Sequence, residues 1–133
     1  MPPSERRSTR TTVCAAAAES RPRLSLRVLR GRAGVLGPGK ADLLEGIDQT
    51  GSIAAAGRRL KMSYKRAWQL AEELNRGFRD PLIEASKGGS GGGGAQLTVL
   101  GREVLRRYRR IEAACSQAAA ADLAALQRRM ARD

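Results

Sequence analysis

The 133-residue sequence contains no histidine and only two cysteines, Cys14 and Cys115. Without histidine, the commonest metal ligand and general base are missing. Two cysteines far apart in the chain form neither a metal-ligand spacing nor a disulfide framework, so a reducing, cytoplasmic setting is expected. No run approaches the ~18 apolar residues of a membrane helix. The apolar stretch at residues 13–18 is too short and weakly hydrophobic for a signal-peptide core. No membrane partner is therefore expected. Nor is an enzyme, because no nucleophile–base pair, metal cluster or nucleotide-cradling loop can be found. Aromatics are scarce too: Tyr64, Trp68, Phe78 and Tyr108 make up 3% of the chain. Aliphatic side chains must supply most of the core.

What the chain has in excess is positive charge. Lysine and arginine number 25 against 13 acidic residues, giving a net charge of +12 and a pI near 11.3. At that level nucleic acid is the leading partner. An arginine-rich composition explains part of the excess but not where the basic groups fall.

They fall in the stretch that organises the chain, residues 51–75, which reads as two short helices joined by a tight turn. Ser52 precedes an apolar run and is placed to cap the first helix, whose Ile53, Ala56, Gly57 and Leu60 recur at helical spacing. Leu60, Lys61 and Met62 make the turn, and Ser63 offers a second cap. Ala67, Leu70, Ala71 and Leu74, with Trp68, then form a broad apolar stripe, and Trp68 is expected in the core. The opposite face carries Tyr64, Lys65, Arg66 and Gln69. A helix-turn-helix needs this layout, because its second helix enters the major groove N-terminus first. Two amphipathic helices of a small bundle would share the apolar spacing, with Lys65 and Arg66 merely solvated.

The rest of the chain supplies the surroundings. Residues 1–22 lack any period and are expected to be a disordered arm, with Arg6, Arg7 and Arg10. Residues 23–28 alternate strictly and predict a strand with Leu24, Leu26 and Val28 on one face. A glycine-punctuated loop is expected over 30–39, then a helix over 39–50 with Ala41, Leu44 and Ile47 inward, stopped by Gly51. Strands are expected at 82–86 and 95–98. Between them six of the eight residues 87–94 are glycine. A flexible linker has that composition, but the flanking strand signals favour a hairpin. Thr98 to Arg129 predicts one long helix of ~30 residues, about 45 Å, with a phase slip after Ala118. That is too long for so small a domain to cover, so Val104, Tyr108, Ile111, Cys115 and Ala118 are expected to form a seam with a second copy. The arginines at 102, 106, 107, 109 and 110 are expected to be solvated.

In order, these elements resemble the N-terminal DNA-binding domain of ModE-type, molybdate-responsive transcription regulators, a winged-helix group akin to LysR-type regulators. The matching residues are Gly51-Ser52-Ile53, Met62-Ser63-Tyr64-Lys65 with Ala67-Trp68, Leu74-Asn75, Pro81-Leu82-Ile83-Glu84, and the glycine run through Ala95, Leu97 and Thr98. They cover about residues 23–120. The resemblance implies a mainly α fold with a small β wing: an arm (1–22), a winged helix-turn-helix (23–97) and a long C-terminal dimerisation helix (98–133). It also implies a homodimer on double-stranded DNA controlling genes of molybdate uptake and use. Ser52, Ser63, Tyr64, Lys65, Arg66 and Gln69 would contact DNA, alongside wing residues Lys87, Gly88, Gly89, Ser90 and Gly91. Two positions depart from the pattern. Lys61 stands where the family turn usually has glycine, and Ser90 where a basic wing residue is common. Full-length members carry C-terminal oxyanion-binding modules; within these 133 residues none is expected, and hence no cofactor. A module that pairs with a full-length regulator, or a nonspecific nucleic-acid-binding protein, are the competing expectations.

Overall fold

The computed structural model describes residues 21–86 and 93–132. Arg6, Arg7, Arg10 and Cys14 of the arm, and the glycine-rich connection at 87–92, lie outside the described residues. Two compact units are formed, one over residues 25–113 and one including residues 114–132.

The first unit begins with a hairpin that the sequence conceals. Strand β1 (Val28–Arg30) pairs antiparallel with β2 (Ala33–Leu36), joining Arg30 to Ala33 and Leu29 to Gly34, with a register shift between Val28 and Leu29. The expected strand at 23–28 is thus displaced, and the expected loop contains β2. Alternation does persist upstream, where Leu26 is less exposed than Ser25 and Arg27. Those residues have no ladder partner, however, and facing alone does not make a strand. Gly31, at φ +62°, opens the two-residue reversal that glycine makes inexpensive.

Helix α1 (Pro38–Thr50) starts with proline, whose missing N–H removes nothing from the first turn. It buries Ala41, Leu43, Leu44 and Ile47, and stops at Gly51, which is left-handed at φ 73° and donates its N–H to Ile47 O at 2.8 Å. Helices α2 (Ile53–Arg59) and α3 (Tyr64–Gly77) follow. Both expected serine caps are present: Ser52 Oγ accepts from the Ala55 N–H and Ser63 Oγ from the Arg66 N–H, each at 3.1 Å. In the turn between them Lys61 has φ 57°, the only positive φ at a non-glycine among the described residues.

Strands β3 (Ile83–Ser86) and β4 (Gly94–Leu97) pair antiparallel, Ile83 with Leu97 through Ser86 with Gly94, so the glycine run joins a hairpin rather than two domains. The Ala95 N–H bonds Gly51 O at 2.9 Å, anchoring the wing at the α1–α2 junction. Helix α4 (Val99–Ala118) is capped by Thr98, whose Oγ1 accepts from the Gly101 N–H and donates to Pro81 O.

The core gathers Leu43, Leu44, Ile47, Leu74, Leu82, Leu97 and Tyr108, all essentially inaccessible to solvent. Each such leucine or isoleucine contributes about 1.5–3 kcal/mol of transfer free energy. Here the expected seam needs correction. Val104 and Tyr108 lie in the core of their own chain, and the Tyr108 hydroxyl donates to Leu26 O at 2.7 Å. Tyr108 has no accessible surface left to face a second copy, and Val104 very little. Ile111 remains exposed.

The arginine cluster is also not uniformly solvated. Arg109 reaches Asp42 at 2.8 Å, Glu112 at 2.9 Å and Glu45 at 3.6 Å, tying α4 to α1. Burial penalises its charge, but hydrogen bonds to Asp42 and Glu112 and the field of Glu45 outweigh that, so its pKa is pushed up.

In the second unit the expected single helix is interrupted. Ala119 (φ −93°, ψ 2°) separates the end of α4 from α5 (Ala120–Arg129), at the point where the apolar phase slips. Hydrogen bonds from Ala119 N to Cys115 O and from Leu123 N to Ala119 O carry the ladder through the break.

Candidate nucleic-acid interface

Helix α3 separates its faces cleanly. Ala67, Leu70, Ala71 and Leu74 are buried, a three-and-four spacing that holds the helix against the core. Tyr64, Lys65, Arg66 and Gln69 are all exposed on its N-terminal half. Ser63 Oγ is occupied as a cap acceptor, which leaves its O–H to donate outward. Ser52 plays the same part for α2 and is half-buried. The wing positions Lys87, Gly88, Gly89, Ser90 and Gly91 lie outside the described residues.

Only four of the described cations, Lys40, Arg102, Arg107 and Arg109, are held in ion pairs, and what sets Lys65 and Arg66 apart from the other unpaired ones is their place at the start of α3. Lys40 pairs with Glu73, Arg102 with Asp48, and Arg107 with Glu103. Among the described residues neither Lys65 nor Arg66 has an acidic partner within ion-pair distance. Both stand in the first turn of α3, where the N–H groups left over by the helix add positive potential. Two unneutralised cations at a helix N-terminus are arranged for an anionic partner.

Two features of the site differ from expectation or were missed. Trp68, expected in the core, is 42% exposed. One residue beyond Ala67, it is carried ~100° round the helix, onto the flank that faces the wing. There it meets Tyr64 edge-on, with ring centroids 6.0 Å apart and planes at 68°. The pair borders a cleft of about 420 Å³ between α3 and the wing strands, floored by Ile53, Ala71, Ile83 and Ala95. Glu72 and Arg76, both exposed, extend the row of Lys65 and Gln69 along the outermost line of α3. Their four-three-four spacing was available in the sequence as the signal for that row.

Asn75 fixes the helix relative to the wing. Its Oδ1 accepts from the N–H groups of Leu82 at 2.9 Å and Ile83 at 3.0 Å, and its Nδ2 donates to Ile83 O at 3.1 Å. Helix α3 and the hairpin beside it are thereby tied together through one side chain. Of the expected seam, Ile111 is exposed, Cys115 half-buried and Ala118 exposed.

No protein-family model matches the sequence. Among curated proteins, the chain is 41% identical over 78 residues to the molybdenum-pterin-binding protein MopB of Rhodobacter capsulatus, a match covering 59% of this chain and 29% of that one. It is 40% identical over 75 residues to the transcriptional regulator ModE of Haemophilus influenzae, covering 56% and 29%. The matched stretch thus spans less than a third of the length of these relatives. Among solved structures, the CbnR DBD–DNA complex superposes with a TM-score of 0.54 at 24% identity, covering 66% of this chain and 95% of that one. The chain carries a ModE-like winged-helix domain of LysR-like fold. Among the described residues no helix is long and apolar enough to cross a membrane.

Proposed function

We propose that this ModE-like winged-helix protein is a sequence-specific transcription regulator that reads double-stranded DNA with the N-terminal half of α3. The observation that carries the reading is the exposed, unneutralised Lys65 and Arg66 at the start of the second helix of a helix-turn-helix, beside Gln69. In the major groove, lysine and arginine suit guanine O6 and N7, and glutamine suits adenine N6 and N7, each bidentate contact being worth about 1–3 kcal/mol of discrimination. Ser52 and Ser63 hydroxyls, at two helix starts, suit phosphate oxygens, which set register without reading sequence. The wing, with Lys87 and the glycines at 88, 89 and 91, would follow the backbone alongside.

The names of the relatives, MopB and ModE, favour genes of molybdenum uptake and use as targets. A homodimer would suit a two-fold operator, and Ile111, Cys115 and Ala118 on α4 are the residues through which we propose that it forms.

The test is fluorescence anisotropy on the promoter fragment upstream of the gene against a scrambled duplex, at two salt concentrations, with and without molybdate. Wild type should prefer the promoter by roughly 10³ or more, and Lys65→Ala should lose most of that preference. Equal affinity for both duplexes would overturn the reading.

A second reading rests on α5 and its C-cap, where Leu126 and Met130 are exposed. These large apolar side chains suit docking on a protein partner, such as a full-length regulator. That reading expects tight association without DNA and little effect of Lys65→Ala.

A further inference from the structure

Of four aromatic residues in the chain, the fold uses Tyr108 fully and Phe78 partly in its core. The other two, Tyr64 and Trp68, stand together on the outer surface of α3, 61% and 42% exposed. Large apolar rings left in water beside one another are a recognition feature more often than a packing remainder. Their surroundings indicate what they meet. Lys65 and Gln69 occupy the neighbouring row of the same two turns, so whatever surface those side chains approach lies within reach of the rings. The wing strands close the far side of the cleft with Ile83, Ala85 and Ala95, so the flank is mainly apolar, with Glu72 and Glu84 also lining the cleft.

In the major groove the one apolar group a base pair displays is the thymine 5-methyl. We propose that Tyr64 and Trp68 form an aromatic ridge that reads thymine methyl groups, making them specificity-determining residues of this interface. The inference rests on the proposed function and goes beyond it by naming the base feature read. The edge-on geometry suits the task. Each ring steadies the other at 6.0 Å, so an apolar face is held in place rather than ordered on binding. The ridge divides labour with its neighbours: Lys65 and Gln69 address hydrogen-bonding edges, while Tyr64 and Trp68 address methyls, which present none.

Deoxyuridine supplies the test, since it differs from thymidine only by that methyl. A preferred duplex is first selected from a random library with the full chain. Each thymine is then replaced singly by deoxyuridine and binding is measured by anisotropy. For wild type, one or two thymines per half-site should show a weakening of about fourfold, the value of one buried methyl-sized group. Trp68→Ala should bind thymine and deoxyuridine duplexes alike at those positions, with Trp68→Phe retaining part of the discrimination, and circular dichroism should show both variants folded. Indifference of wild type to every replacement would overturn the inference without using any variant. So would undiminished discrimination in Trp68→Ala. Failure of the library to yield any preferred duplex would instead remove the regulator reading, and this inference with it.

Discussion

Asn75 holds Ile83 by both of its backbone polar groups: Oδ1 accepts from its N–H at 3.0 Å and Nδ2 donates to its carbonyl at 3.1 Å. One side chain on α3 thus does what a neighbouring strand would do for the edge of β3. Asn75→Ala removes both bonds and the one from Leu82, leaving partly buried N–H groups unpaired. The expected loss is about 2–3 kcal/mol, measured by urea denaturation. Asn75→Asp keeps the acceptor and loses the donor, so it should fall between the two.

Lys61 carries a different load. A lysine at φ 57° bears about 1–2 kcal/mol of steric penalty, while glycine there loses about 0.5–1 kcal/mol through the freedom of its unfolded chain. Lys61→Gly should therefore stabilise the protein by up to about 1.5 kcal/mol, and Lys61→Val should destabilise it. Denaturation midpoints of the three proteins check the ordering.

Gly101 sits against the Leu82 carbonyl so closely that an added Cβ would overlap it. The obstacle is backbone, pinned by the bond from Thr98 N to Leu82 O at 2.9 Å. Gly101→Ala should lower stability by at least about 2 kcal/mol by shifting α4 off the wing, again read from denaturant unfolding.

Tyr108 gives the pH dependence. Burial pushes its pKa above 10, Glu112 and Asp42 push the same way, and Arg109 opposes them. A folded-state pKa above the unfolded value means the contribution is fully present below about pH 10 and is lost as pH rises through the folded value. Wild type should lose stability above pH 10 more steeply than Tyr108→Phe. At neutral pH that variant should be weaker by about 1 kcal/mol, through the missing bond to Leu26 O. Unfolding followed from pH 7 to 11 compares the two.

These residues also mark how far the sequence could be read. Helical spacing located α3, its buried stripe of Ala67, Leu70, Ala71 and Leu74, and its cationic start, because periodicity reports directly which side faces inward. The serine caps and the Gly51 stop were legible for the same reason: their chemistry is local. Trp68 is apolar, yet its angle on the helix, one residue past Ala67, carries it out of the core, so its hydrophobicity alone points the wrong way. Val104 and Tyr108 share one spacing with Ile111. A stripe facing its own core and a stripe facing another copy look identical until the neighbouring elements are in place. Strand β2 was hidden by glycine at 31 and 34, which reads as loop until a partner strand is seen. The Asn75 clamp crosses from a helix to the strand that follows it, and the Arg109 network joins α4 to the distant α1, so no periodic pattern announces either.

The most direct test of α3 as the reading element is an amide NMR titration of the labelled chain with a duplex selected for tight binding. Shifts should concentrate at residues 63–69 and in the wing, leaving α5 unperturbed. Perturbation centred on Leu126 and Met130, with residues 63–69 unmoved, would contradict the account.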